Sequence, residues 1–320
     1  MPAVVNIAVL SSLACLAMAG LPALVFIGGI FWGISLVLGG YYLNRNKLIL
    51  VFALNLVLIY MLSGAANLLY ALVFYGIPSL LMAILLSMRK SYYEILGKGM
   101  LVMILSVGLF LGVTYLQLGE GGFDELQARI KSGMQESIDM SEKSGIFEFY
   151  ENRGISRDEI ETAFANLAET LLNYLPAFFY LQAILGVYLI ILLSSLLARR
   201  RKLQVLDKHP FSEEIMPWQL AWVVIAGLAC WLLGREQMQL LYYIGANILV
   251  IVVPVTVYYG LSYLVYQLQH MRPQYRGWLL ALLIIVCLFF SVSAIIFIGL
   301  MGLFDSLLDY RKLRQKKEGT

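Results

Sequence analysis

The stretch from residue 156 to residue 202, SRDEIETAFANLAETLLNYLPAFFYLQAILGVYLIILLSSLLARRRK, decides how the rest of the chain is arranged. It opens with Ser156 followed three positions later by Glu159, the spacing of a capping box at the start of a helix. No residue between Leu171 and Ala198 is charged, and a helix needs about 20 apolar residues to cross a bilayer. The stretch therefore predicts one helix over 157–202, whose capped end protrudes from the membrane and whose apolar part crosses it.

The two ends of this helix carry opposite charges. Asp158 and Glu159 lie in its first turn, and Arg199, Arg200, Arg201 and Lys202 end it. Because loops rich in Lys and Arg stay on the cytoplasmic side, we expect the basic end inside and the acidic end outside. The whole chain is 61% hydrophobic and only 13% charged, unlike an ordinary soluble domain. The fold class that we predict is an all-α polytopic transmembrane helical bundle with about nine or ten membrane segments, in a bacterial plasma membrane.

We predict five regions along the chain. They are an N-terminal five-span bundle (1–118), an acidic extracytoplasmic insert (119–156), the long central helix with the sixth span (157–202), further spans (203–304) and a basic cytoplasmic tail (305–320). Between residues 119 and 161, 11 acidic residues outnumber 5 basic ones. Apolar residues recur there at helical spacing, which predicts an amphipathic helix over about 123–143 that lies on the outer surface or caps the spans. The alternative is a solvated linker.

The last apolar run, 277–303, leaves two topologies open. A single crossing would place the basic tail outside, against the positive-inside rule. A hairpin folded at Ser291-Val292-Ser293 would return the tail, with Arg311 and Lys312, to the cytoplasm. Its two arms are short for a bilayer, but short arms are tolerated where they pack against protein. We favour the hairpin.

Catalytic and metal-binding patterns do not occur in the sequence. The spans carry almost no ionisable residues, which disfavours a proton- or sodium-coupled transporter. No Ser/His, Cys/His or metal-ligand pattern is present, so we expect no enzyme, no metal and no cofactor. We likewise expect no nucleic acid partner.

The polar groups inside the apolar runs are amides, hydroxyls and many tyrosines. Such groups suit an uncharged or aromatic ligand held by hydrogen bonds and stacking, although for any single residue hydrogen bonding between helices or a place in an interfacial belt is the more common explanation. The ligand-binding candidates are Asn67, Tyr70, Asn173, Tyr180 and Asn247.

Small residues spaced four apart form a second pattern. Such spacing lets helices approach closely, either within the bundle or against a partner subunit in the membrane. The residues concerned are Ser11, Cys15 and Ala19, and the pair Gly29 and Gly33.

The C-terminal third resembles a known family. The stretch Ile244–Val250, the sequence Tyr259-Gly260-Leu261-Ser262 and the ending GLMGLFDSLLDYRK (299–312) are similar to the YybS-like family of bacterial predicted membrane proteins of unknown function. The ending Asp-Ser-x-x-Asp-Tyr-Arg is the most specific part. The family's N-terminal spans are in turn distantly similar to the substrate-binding subunits of energy-coupling-factor transporters. That resemblance implies a six-helix bundle that binds a small molecule and docks on a transmembrane scaffold subunit with ATPases.

These observations favour a non-enzymatic membrane component that binds or transports a small molecule, not yet identified, together with partner subunits. The alternative is a scaffold or regulatory protein that recruits partners through its cytoplasmic cations. Those cations are Arg199, Arg200, Arg201, Lys202, Arg311 and Lys312.

Overall fold

A computed structural model describes residues 3–20, 24–118, nine positions between 128 and 140, 156–203, 206 and 208–311. The described residues form helices and contain no β-strand, which confirms the all-α prediction. The chain divides into two compact units, Met1–Lys208 (the N-terminal unit) and His209–Thr320 (the C-terminal unit). The predicted central helix therefore belongs to the same compact body as the spans that precede it.

Apart from the nine helical positions between 128 and 140, the described residues of the N-terminal unit form six α-helices and one π-helical turn. They are α1 (Ala3–Gly20), α2 (Val25–Tyr42), α3 (Arg45–Ala71), the π turn (Leu72–Gly76), α4 (Ile77–Ser87), α5 (Tyr92–Leu118) and α6 (Arg157–Arg200).

The chain reverses direction at Gly64, inside α3. Gly64 has φ 79°, in the region that favours glycine. Phe52 and Gly76 each lie twelve positions from Gly64, and a Cβ atom at Gly76 would be 3.2 Å from Phe52 Cε2. A straight helix would separate these residues by ~36 Å at 1.5 Å per residue. Residues 45–63 and 65–87 therefore form two antiparallel arms.

Close contacts at glycines fix the directions of the remaining helices. A Cβ at Gly28 would meet Met18 and one at Gly39 would meet Ile7, so α1 and α2 are antiparallel. Gly29 lies against Tyr75 and Gly33 against Ser79, which makes α2 parallel to the second arm. On α6, Gly186 lies against Tyr75 and Ile190 against Gly33, so α6 is parallel to α2 and to the second arm. Between α5 and α6, Gly99 lies against Val187 and Gly108 against Tyr180, so these two helices are antiparallel. The unit is thus six segments of alternating direction.

The capping box that opens the central helix is present. Ser156 Oγ accepts from the Glu159 backbone N–H at 3.3 Å, and Glu159 Oε2 accepts from the Ser156 backbone N–H at 2.9 Å. The helix ends at Arg200, two residues before the predicted end, because Lys202 adopts a left-handed conformation at φ 55°. The predicted helix over 123–143 lies largely outside the described residues; nine of its positions are described and are helical.

The described residues of the C-terminal unit, 209–311, form a 3-10 turn (Phe211–Glu213) and four helices. They are α7 (Gln219–Gln237), α8 (Gln239–His270), α9 (Pro273–Phe289) and α10 (Ser291–Leu308). α7 and α8 form a tight antiparallel pair, in which a Cβ at Gly234 would lie 2.1 Å from the Tyr242 backbone nitrogen.

The last apolar run folds as a hairpin. The helix breaks at Phe290, one residue before the predicted turn, with φ −129° and ψ 49°. Gly302 lies against Thr256, and the rings of Tyr310 and Tyr263 are 6.3 Å apart, so α10 runs parallel to α8. Because α9 begins at the end of α8 and leads to the start of α10, it must run in the opposite direction.

Seven helical segments of the described chain are long and apolar enough to cross a membrane. One of them, Arg45–Ser87, is the pair of arms that reverses at Gly64. Two shorter apolar helices, Val4–Gly20 and Pro273–Val286, complete the set. This agrees with the nine or ten predicted membrane segments.

Candidate functional site

One polar group of the N-terminal unit joins α6 to the segment that follows Gly64. Gln182 on α6 donates one amide hydrogen bond to Tyr70 Oη and another, of 3.1 Å, to Tyr75 Oη. Tyr75 is fully buried, whereas Tyr70 and Gln182 are half-buried. We call these three residues the tyrosine–glutamine group.

Aromatic rings surround this group on one side. The Tyr70 ring stacks on Phe74 at a centroid distance of 4.5 Å. Phe74 in turn contacts Phe110 of α5 at 5.8 Å and Phe179 of α6 at 5.6 Å. Three segments of the bundle therefore contribute rings to one cluster, which can supply the stacking surface that a flat or apolar ligand needs.

The local backbone explains why the tyrosines point into the bundle. Leu72–Gly76 is a π turn, a widening of the helix that often occurs at functional sites. Pro78 follows it and has no backbone N–H to continue the regular ladder. The Tyr75 ring fits because glycines face it: a Cβ at Gly29 would be 2.5 Å from Tyr75 Cε2, and one at Gly186 would be 3.3 Å from Tyr75 Cε1.

The chemistry of the tyrosine–glutamine group is neutral. It consists of one amide and two phenol hydroxyls, which can donate to and accept from an uncharged polar molecule. Among the described residues no group of His, Cys, Asp and Glu could hold a metal ion. The arrangement therefore suits binding by hydrogen bonds and stacking and supplies no nucleophile or acid–base pair.

A second neutral network is more deeply buried in the same unit. Trp32 Nε1 donates to Asn55 Oδ1 at 3.0 Å, and Asn55 Nδ2 donates to Ser12 Oγ at 3.4 Å. Trp32 and Asn55 are fully buried, and the Trp32 ring stacks on Phe52 at 5.8 Å. Because its members satisfy one another across α1, α2 and α3, we interpret this network as structural.

The five predicted ligand-binding residues belong to different parts of the fold. Tyr70 belongs to the tyrosine–glutamine group, and Tyr180 donates to the Ile104 carbonyl of α5 at 3.4 Å. Asn67 is exposed and bonds the Ser63 carbonyl of its own helix. Asn173 is half-buried in α6, and Asn247 lies in the C-terminal unit, where it donates to the Tyr243 carbonyl.

The small residues predicted to mediate packing or docking lie mostly inside the N-terminal unit. Ser11 and Cys15 are fully buried, and Ala19 is half-buried. A Cβ at Gly33 would meet Ile190 Cδ1 at 2.4 Å, so α2 and α6 approach closely there. For Ser11, Cys15, Gly29 and Gly33, burial favours packing within the bundle over docking of a partner.

The C-terminal unit contains a charged polar core centred on Arg311. Arg311 Nε donates to Asp305 Oδ2 at 2.9 Å, and Nη2 donates to the same oxygen at 2.5 Å. Nη1 donates to the Ser212 carbonyl at 2.6 Å and to Ser262 Oγ at 3.1 Å, and Nη2 also donates to the Glu214 carbonyl at 2.8 Å. All five guanidinium N–H groups therefore have acceptors.

Aromatic rings and burial complete this Arg311 core. The guanidinium carbon lies 5.8 Å from the Tyr263 ring centroid and 5.6 Å from that of Tyr266, within cation–π range. Arg311 is only 3% exposed and Asp305 only 1%. The Arg311 core thus ties the chain beyond α10 to α8 and to the 3-10 turn.

This core corrects one prediction. The sequence places Arg311 among the cytoplasmic cations available to partners, but its guanidinium is buried and paired because Asp305, Ser262 and two backbone carbonyls surround it. The side chains of Arg199, Arg200, Arg201 and Lys202 are exposed, as expected, and Lys312 lies outside the described residues.

Sequence reasoning missed two members of these polar groups as site residues. Gln182 is one polar residue in a long apolar run, and its partners lie 112 and 107 positions away. Asp305 could have indicated the Arg311 core, because a carboxylate at the end of an apolar run needs a buried cation nearby.

Comparisons with known proteins give one match. The model of a family described as "Predicted membrane protein (DUF2232)" matches residues 8–306. Neither the curated proteins nor the solved structures contain a significant match to the chain.

Proposed function

The chain belongs to the DUF2232 family of predicted membrane proteins, and from that premise we propose that it is a non-enzymatic component that binds a small uncharged molecule for transport. The observation that carries the proposal is the tyrosine–glutamine group. Its amide and two hydroxyls meet where α6 passes the π turn, with an aromatic cluster beside them. These are the polar groups and rings that orient a neutral ligand in a largely apolar pocket.

The binding step follows from the chemistry of this group. A ligand with a hydroxyl, amide or ring nitrogen would replace the bonds between Gln182 and the two tyrosines with bonds of its own. Phe74, Phe110 and Phe179 would then cover its apolar face. Because no charge has to be desolvated, the exchange costs little, and the ligand can be both held and released.

The architecture of the N-terminal unit supports transport as the broader role. Its six segments of alternating direction equal the number in the substrate-binding subunits of energy-coupling-factor transporters, which the sequence distantly resembles. By that resemblance, energy would come from a transmembrane scaffold subunit with ATPases in a bacterial plasma membrane. Since Ser11 and Cys15 are buried, we place docking on the outward face of α1, which carries exposed Leu10, Leu13 and Leu16.

Native mass spectrometry of the protein released gently from its own membrane tests this proposal. We expect the wild-type protein to retain a small molecule, and Gln182→Leu to lose most of it because two tyrosine hydroxyls lose their partner. Gln117→Leu is the matched control, since Gln117 is an exposed glutamine of α5 in the same unit. A wild-type protein without any bound molecule, or equal retention in both variants, would overturn the proposal.

A scaffold role is the second candidate, favoured by the exposure of Arg199–Lys202 at the end of α6. It predicts that replacing these four cations with glutamine abolishes capture of a partner while ligand retention stays unchanged. Equal capture by both proteins would exclude it.

A further inference from the structure

The N-terminal unit has a cleft at the end opposite Gly64. Its volume is about 740 Å³, and it lies where α2 and α4 end and where α3 and α5 begin. The lining of the cleft is partly polar. Its polar residues include Tyr41, Asn44, Arg45, Arg89, Lys90 and Ser91.

The charge of this cleft is positive. Arg45, Arg89 and Lys90 contribute cations, and no Asp or Glu lines the cleft among the described residues. Glu94 does not line it, and its Oε1 is shared between Lys90 at 3.3 Å and Lys98 at 2.7 Å. Within the described part of the chain, Arg45 and Arg89 make no ion pair, so their guanidinium groups are available to an anion.

The backbone adds to this potential. α3 begins at Arg45 and α5 at Tyr92, and both helix starts border the cleft. A helix start carries a partial positive charge, which favours an anion, although side chains already cap one N–H of each helix: Asn44 Oδ1 accepts from the Lys47 N–H and Ser91 Oγ from the Glu94 N–H. Tyr41 also lines the cleft, and its buried hydroxyl has no hydrogen-bond partner in the part of the structure that is described.

Arg89 occupies a position that usually belongs to glycine. It follows the end of α4 with φ 58°, while its N–H bonds the Leu86 carbonyl and the Lys90 N–H bonds the Leu85 carbonyl. These are the two bonds of a Schellman motif, whose left-handed residue strains any side chain. This motif fixes the backbone conformation of Arg89, one of the residues that line the cleft.

We propose that this cleft binds a phosphate group, through Arg45, Arg89 and Lys90. Guanidinium groups bind phosphate oxygens in pairs of parallel hydrogen bonds, and three cations without a lining carboxylate match a group of one to two negative charges. The site lies apart from the tyrosine–glutamine group, and the proposal does not depend on the proposed transport function.

A phosphate group could come from a phospholipid headgroup or from a free phosphate compound. The cleft borders the helix ends that carry the basic turn 44–47, where the positive-inside rule predicts the cytoplasmic membrane surface. Both sources share the same chemistry, so the experiment distinguishes them.

The test uses the full-length protein in a neutral detergent, titrated with phosphatidic acid and separately with diacylglycerol, and read by native mass spectrometry. The two lipids differ only in the phosphate group. We expect phosphatidic acid to bind at least ~10-fold more tightly than diacylglycerol, since charge-assisted bonds would be lost. Equal binding of the two lipids would overturn the proposal.

Variants assign the binding to the cleft. We expect Arg45→Gln and Arg89→Gly each to weaken phosphatidic acid binding by about tenfold, while Lys47→Gln stays within about twofold of wild type. Lys47 is an exposed cation two residues from Arg45 that does not line the cleft. Arg89→Gly should also unfold at the same or a higher temperature than wild type, because glycine relieves the left-handed strain. Unchanged binding in both arginine variants would contradict the proposal.

Competition with inorganic phosphate then identifies the source. Loss of bound phosphatidic acid at millimolar phosphate supports a site for free phosphate compounds as well. Retention of phosphatidic acid, combined with the losses in the arginine variants, supports a lipid headgroup site. A loss of phosphatidic acid on adding phosphate that is equal in wild type and in Arg45→Gln would contradict a site built on Arg45.

Discussion

The polar centres of the two units differ in charge and in burial. In the N-terminal unit, the tyrosine–glutamine group is neutral, and two of its three residues are half-buried. In the C-terminal unit, the Arg311 core is ionic and almost completely buried, and every guanidinium N–H has an acceptor. A neutral centre can exchange its hydrogen bonds for those of a ligand. In the Arg311 core, Asp305 Oδ1 has no hydrogen-bond partner among the described residues, but a ligand that separated the buried pair would leave an unpaired charge, which costs ~3–5 kcal/mol. We therefore interpret the first as a binding element and the second as a structural one.

The largest expected effect is the loss of the buried cation. Arg311→Met leaves the Asp305 carboxylate buried without its partner, and breaking a buried pair in this way costs ~3–5 kcal/mol. Thermal unfolding of the purified protein measures the effect. Arg272→Met, at an exposed arginine of the same unit, should change the free energy of unfolding by less than about 0.5 kcal/mol.

The double variant Arg311→Met/Asp305→Leu sharpens this test. Replacing both members of a buried ion pair with apolar residues is often neutral or stabilising. We expect the double variant to unfold at a higher temperature than Arg311→Met alone. A double variant less stable than the single one would show that the pair does more than neutralise charge.

The second effect concerns how tightly α8 and α10 hold the Arg311 core. A Cβ at Gly260 would lie 1.8 Å from the Ile298 carbonyl oxygen, so Gly260→Ala must push the two backbones apart. Overpacking of this kind lowers the free energy of unfolding of the C-terminal unit by ~1–3 kcal/mol. Gly277→Ala is the control, because nothing lies within 4 Å of a Cβ there. Differential scanning fluorimetry compares the two, and equal midpoints would refute the close crossing.

The third prediction compares the stability contributed by the neutral Trp32–Asn55–Ser12 network with that contributed by the Arg311 core. Asn55→Leu leaves the buried Trp32 N–H without an acceptor, which costs ~1–3 kcal/mol. We expect a smaller loss of stability than for Arg311→Met, together with a change in tryptophan fluorescence. Asn46→Leu, at an exposed asparagine of α3, should leave both unchanged. A loss for Asn55→Leu as large as that for Arg311→Met would remove the distinction between neutral and charged centres.

The smallest effect is local. Ser156→Ala removes the capping hydroxyl of α6 and costs ~0.5–2 kcal/mol at the start of that helix. Hydrogen exchange of the amides of the first turn, residues 157–160, should accelerate, while exchange around Gln182 stays unchanged. Acceleration that extends to Gln182 would mean that the protruding end and the tyrosine–glutamine group unfold together.

Patterns local in sequence predicted most of the fold. Apolar length predicted the spans, and Ser156 and Glu159 predicted the start of α6. The conflict between a single crossing and the positive-inside rule predicted the hairpin near Ser291. The capping box depends on residues within one turn and each span on one continuous apolar run, whereas the hairpin follows from the charges at the two ends of the last run; the sequence carries all three directly.

The sites depend on pairs that are distant in sequence, and the sequence does not carry these directly. Because Arg311 follows an apolar helix, the sequence predicts an exposed residue of the tail. Its acceptors Ser262 and Ser212, however, lie 49 and 99 positions away. Gln182 finds Tyr70 at a separation of 112. Conversely, the sequence predicts that Asn67 and Asn247 bind a ligand, but each side-chain amide donates to a carbonyl four residues earlier in its own helix.

The measurement that tests the central claim most directly is native mass spectrometry of three proteins released from the same membrane: wild type, Gln182→Leu and Arg311→Met/Asp305→Leu. If the neutral centre binds and the ionic centre is structural, wild type and the double variant retain the same small molecule and Gln182→Leu loses it. Retention in Gln182→Leu, or loss in the double variant while it remains folded, would contradict the assignment of binding to the N-terminal unit.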